Sequence, residues 1–79
     1  MKYFRYIIKG EDLAEYKGEV NSVPSDFIEY ESTLSGESIY YKIVDGNIVE
    51  AIGEAIHENA AKRRVDEFLA AYNASPMGV

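Results

Sequence analysis

The chain has no cysteine, no tryptophan, one histidine and two prolines. Without cysteine there is no disulfide, no thiolate metal site and no thiol nucleophile. A lone histidine cannot supply the paired imidazoles of the common zinc-hydrolase motif. No apolar run approaches the roughly 20 residues of a membrane helix. The first nine residues are too interrupted by Lys2, Arg5 and Lys9 to read as a signal peptide. A soluble, cytoplasmic protein is therefore the expectation. Asn73-Ala74-Ser75 matches a glycosylation acceptor, but Pro76 follows it and no secretory signal accompanies it, so it is discounted.

What is present fits one small folded domain. The 79 residues are 47% hydrophobic and 28% charged, a balance that suits a globule and not a disordered chain. A domain this small buries only about 60% of the surface its unfolded chain exposes. Extra burial against a partner or a second copy is a natural supplement. Seven tyrosines against three phenylalanines place many rings where an apolar body meets a polar tip.

The net charge of −6 is unevenly distributed. Residues 1–10 carry three bases and no acid. Residues 11–58 carry twelve acids and two bases, Lys17 and Lys42. Residues 59–79 are close to balanced. Free nucleic acid would be repelled by such a middle segment. A basic protein, including one that itself binds nucleic acid, would be attracted.

Alternation predicts a first strand over 2–9 with Phe4, Tyr6 and Ile8 on the core face. Residues 13–20 fit either a helical turn or a strand. A second strand is expected over 27–33, a turn at Ser35-Gly36-Glu37-Ser38, and a further strand over 39–44. Asp45-Gly46 between β-branched runs is the chemistry of a two-residue hairpin turn. That turn pairs Val44 with Asn47 and Ile43 with Ile48. It further pairs Tyr41 with Glu50 and Ile39 with Ile52. A rival helix starting at Asn47 would place Val49, Ile52, Ile56 and Ala60 on one side. Its continuation through Ala61, Val65, Phe68, Leu69 and Tyr72 would need a second buried side, so the hairpin is preferred. The expected helix runs from about 54 to 73, with 74–79 as a flexible tail. The fold class is α+β: an antiparallel sheet of three to five strands with one C-terminal helix on one face.

No arrangement points to catalysis, a cofactor or a bound metal. Glu54-x-x-His57 has the spacing of a di-iron helix, yet one helix cannot build that site. His57-Glu58-x-x-Ala61 begins like a zinc motif but has alanine where the second ligand belongs. His57 also falls on the helical packing stripe, so a half-buried structural role is expected. No phosphate-binding glycine loop or nucleophile elbow is present. Lys62-Arg63-Arg64 splays around the helix, with i,i+4 acidic partners available.

The surface of interest is the sheet face that one helix leaves open. The expected register puts Tyr40, Lys42, Val49 and Ala51 there, and Phe27, Glu29 and Glu31 join them if their strand pairs alongside. Phe27, Glu29, Glu31, Tyr40 and Lys42 are thus the candidate partner-binding residues. The expectation is a non-enzymatic protein-binding domain, with homodimerisation as a further possibility and no direct contact with nucleic acid or membrane. The alternative is a DNA mimic that blocks a nucleic-acid-binding protein. Phage inhibitors of the anti-CRISPR and anti-restriction classes are similar in size and charge.

Overall fold

The computed structural model describes residues 2–10, 13–31 and 38–74. They form five strands and one helix: β1 Lys2–Ile8, β2 Ala14–Val20, β3 Ile28–Glu31, β4 Ser38–Val44, β5 Asn47–Ala55 and α1 Glu58–Ala74. The strands make one antiparallel sheet in the order β2-β1-β5-β4-β3, with α1 on one side. This is the α+β arrangement the sequence suggests. Glu11, Asp12, most of the expected turn (Ser35, Gly36 and Glu37) and the tail from Ser75 lie outside the described residues.

Alternation in β1 sends Phe4 and Tyr6 into the core, and Ile8 packs against it. From α1, Ala61, Val65, Phe68 and Leu69 meet them, with Tyr72 half-buried at the margin. These are the stripes expected from the sequence. Residues 13–20 resolve in favour of the strand: Ala14 is buried and Tyr16 faces Tyr6 across the β1–β2 pair.

The β4–β5 hairpin begins as expected. Asp45 and Gly46 both have positive φ, 54° and 82°, the requirement of a type I′ turn. Val44 pairs with Asn47 and Ile43 with Ile48. Beyond that, the register shifts: Lys42 pairs with Glu50, leaving Val49 as the extra residue of a β-bulge. Tyr41 therefore meets Ala51 rather than Glu50, and Ile39 meets Gly53 rather than Ile52. One inserted residue exchanges the two faces of β5. Ala51 is fully buried beneath the helix, not on the opposite side as expected.

The bulge places Ala51, Gly53 and Ala55 on the helix side, all buried. Small side chains there let α1 sit close to the sheet. A Cβ on Gly53 would lie 3.2 Å from both the Cβ and the carbonyl oxygen of Ala61, and 3.3 Å from Val65 Cγ2. This packing keeps residues 54 and 55 in the strand. The helix starts at Glu58, four residues later than expected. The rival helix from Asn47 is excluded likewise, and Ile56, on its supposed stripe, is exposed.

His57 is exposed and caps the helix, which corrects its expected place on the packing stripe. The Ala60 amide donates to His57 Nδ1 at 3.2 Å, and the Ala61 amide donates to the His57 carbonyl at 3.2 Å. The Nδ1 contact satisfies an N–H group that a helix start leaves without an intrahelical acceptor, and the carbonyl contact is the first i→i−4 bond of the helix. Glu54 belongs to β5, so Glu54 and His57 do not share a helix and the di-iron spacing has no structural counterpart.

Candidate functional site

The strand order fixes what covers the second face. β2 and β3 are consecutive in sequence but lie at opposite edges of the sheet. Residues 21–27 must cross the sheet to join them. They land on the side away from α1. Asp26 forms an ion pair with Lys42 at 3.1 Å, and the Phe27 ring lies 5.9 Å from the Arg5 guanidinium. Arg5 and Lys42 belong to the face opposite Tyr6 and Tyr41. The expectation of a wholly open face is therefore corrected: a crossing segment partly covers it.

Ile52 lies on this partly covered side. It stands between Arg5 on β1 and Tyr40 on β4, away from the helix, and it is fully buried. Tyr3 and Tyr40 close over the neighbouring part of β5, with ring centroids 6.2 Å apart in an edge-on arrangement. Arg5 donates from Nε to Glu50 at 2.6 Å and its guanidinium also forms an ion pair with that carboxylate. The face thus holds a small apolar centre beneath a polar lattice of Arg5, Glu50, Lys42 and Asp26.

Four of the five candidate residues converge on this side. Phe27 is half-buried at the end of the crossing segment, and Glu29 pairs with Tyr40 across β3 and β4. Tyr40 is half-buried and Lys42 is held by Asp26. Glu29 is exposed and accepts a hydrogen bond from the Ser38 hydroxyl at 3.0 Å. Glu31 is in backbone register with Ser38, and its side chain lies outside the described residues. Val49, also expected here, occupies the bulge instead. Arg5, Glu50 and Ile52 were missed, because their placement depends on strand order and on the bulge. The parity of Tyr3 and Arg5, opposite to Phe4 and Tyr6, was the available signal.

The electrostatics are lopsided. Both cations of the face are engaged, Arg5 with Glu50 and Lys42 with Asp26. Among the described residues, neither Glu29 nor Glu54 is in an ion pair. Burial raises the Tyr40 pKa above its ordinary value, and the Glu29 and Glu54 carboxylates push it the same way, against the Ser38 hydroxyl. Tyr40 is thus a neutral phenol flanked by uncompensated negative charge.

No protein-family model, curated protein or solved structure matches this chain.

On the helix side, an aromatic row runs from α1 to the β3 edge. Phe68 lies 5.9 Å from Tyr72, 5.1 Å from Tyr41 and 4.9 Å from Tyr30, measured between ring centroids. Ile28 and Tyr30 remain 48% and 44% exposed at the end of this row. A groove of about 410 Å³ lies between the β4–β5 turn and the last turns of α1, lined chiefly by Ile8, Ile48, Val49, Leu69 and Tyr72. Among the described residues, its walls carry no carboxylate, amine or imidazole. The described helix is not long and apolar enough to cross a membrane.

Proposed function

We propose that this is a non-enzymatic protein-binding domain that uses the Glu29–Tyr40–Glu54 end of its sheet to engage a basic protein surface. The observation that carries this reading is the internal pairing of Arg5 and Lys42. It leaves Glu29 and Glu54 as the uncompensated charges beside a half-buried tyrosine. Tyrosine supplies contact area at low entropic cost, and the flanking carboxylates supply steering and register.

Arg5 and Lys42 also interrupt the carboxylates of this face, which favours a compact basic patch on the partner over a mimic of a continuous phosphate row.

The test uses immobilised wild type and the E29K/E54K double variant as baits for one lysate of the native cells. A protein retained by wild type, released by salt and absent from the variant is the expected outcome. Equal retention by both baits would rule this surface out.

A further inference from the structure

We propose that β3 is the docking edge for an extended segment of a partner, which adds to the sheet as a sixth strand and alternates basic with apolar residues. This deepens the protein-binding reading above and rests on it. Three observations converge at this edge.

First, the two sheet edges differ. On β2 the register slips around Lys17, Gly18 adopts a φ of 125°, and Glu15, Lys17 and Glu19 are all exposed or nearly so. A bulge that interrupts the ladder is a usual device that makes an edge unfit for pairing. β3 ends the sheet on the other side, and its pairing with β4 runs without a shift over all four residues. Its outer edge offers regular backbone groups to an incoming strand.

Second, β3 is sharply two-sided. Ile28 and Tyr30 extend the aromatic row of Tyr41 and Phe68 on the helix side. Glu29 lies on the other side beside Tyr40, and Glu31 shares its strand parity. An added strand has the same alternation, because paired residues share a face. Its apolar residues would extend the row beyond Ile28 and Tyr30. Its basic residues would meet Glu29, whose carboxylate is in no ion pair among the described residues.

Third, the same charges disfavour a second copy. A two-fold pairing of β3 with itself in one continuous sheet sets Glu29 against Glu29 when centred there. Centred on Tyr30, it sets Glu29 against Glu31. Like charges placed directly opposite destabilise a strand pair. Strand addition of this kind draws affinity from main-chain hydrogen bonds and specificity from alternate side chains.

The test begins with a phage-displayed library of random octapeptides selected on the immobilised full chain. Enriched sequences should alternate Lys or Arg with aliphatic or aromatic residues. A synthetic peptide of the leading sequence should slow amide exchange within Ile28–Glu31. N-methylation of alternate peptide amides, and separately E29K in the domain, should each weaken binding by about tenfold or more. A peptide that shifts Tyr40 and Glu54 resonances without protecting the β3 amides, and tolerates N-methylation, would overturn strand addition while leaving the acidic face as a binding surface. Failure to enrich any alternating sequence would overturn strand addition, and the lysate comparison would still decide the broader reading. Protection of the β3 amides that grows with protein concentration and needs no peptide would assign the edge to a second copy and overturn the proposal.

Discussion

The Tyr6 hydroxyl donates a hydrogen bond to Glu58 Oε2 at 2.7 Å, joining the middle of the first strand to the first turn of the helix. The Glu58 carbonyl oxygen lies 3.2 Å from the same hydroxyl. Tyr6 is fully buried, so its polar tip needs a partner and finds it where the negative side chain also favours the helix N-terminus. Replacing Tyr6 with Phe removes the donor but keeps the ring. A loss of about 1–2 kcal/mol in urea unfolding is expected. An unchanged midpoint would show that water replaces the bond at no cost.

Burial, followed by the Glu58 carboxylate, pushes the Tyr6 pKa well above its ordinary value. The sign of the pH dependence follows. The folded state keeps this proton where the unfolded state releases it, so stability is intact below about pH 10 and falls as pH rises beyond it. The limiting slope is about 1.4 kcal/mol per pH unit for one such hydroxyl. Denaturation midpoints between pH 8 and 11 should show this decline for wild type and a shallower one for Tyr6→Phe.

Gly53 sits where α1 lies close against β5. Its substitution by alanine forces a carbon to within 3.2 Å of the Ala61 backbone oxygen, which cannot rotate away. A cost of about 1–3 kcal/mol is expected, and more for valine. Thermal unfolding measures it directly. A neutral Gly53→Ala would mean that the helix can lift from the sheet without loss.

Ile52 tests the crossing segment. If residues 21–27 and the side chains of Arg5 and Tyr40 form a real second layer, Ile52→Ala leaves a cavity under them and costs about 2–5 kcal/mol. An open face would give a far smaller value, because an exposed truncation creates no cavity. The same variant should speed proteolysis within residues 21–27.

The helix start offers a stabilising change. His57 supplies an acceptor for Ala60 through one ring nitrogen, whereas aspartate does so with a full negative charge at the positive end of the helix. His57→Asp is expected to stabilise the fold by about 0.5–1 kcal/mol. A lower melting temperature would contradict the capping role.

Much of the architecture was legible in the chain, and the failures share one physical origin. Phe4, Tyr6 and Ile8 announced one buried face by alternation, and Ala61, Val65 and Phe68 announced another by helical spacing. Asp45-Gly46 announced its turn through the need for positive φ. The bulge at Val49 had no such mark, because either register pairs apolar residues plausibly. Once it was missed, Ala51 and Ile52 exchanged sides. Glu54-Ala55-Ile56-His57 has helical composition, yet tertiary packing overrode it: Ala51, Gly53 and Ala55 are the small residues a helix requires beneath it, and they hold the strand to its end. The crossing segment was invisible because it depends on strand order, which no local pattern encodes. The acidic and aromatic residues of the candidate site could be named individually, and Phe27, Glu29, Tyr40 and Lys42 do share a face. Their partners Arg5, Glu50 and Asp26 became apparent only with the three-dimensional pairing.

The position of β5 also governs how the molecule assembles. β1–β2 and β3–β4 are hairpins that never pair with each other, and β5 is the strand inserted between them. The Arg5–Glu50 pair, 45 positions apart, belongs to the seam that insertion closes. On a ribosome, the two hairpins emerge before the strand that unites them, and neither has enough layers to persist alone. Folding is therefore expected to wait for β5, which leaves the inner edges of β1 and β4 unpaired until it arrives.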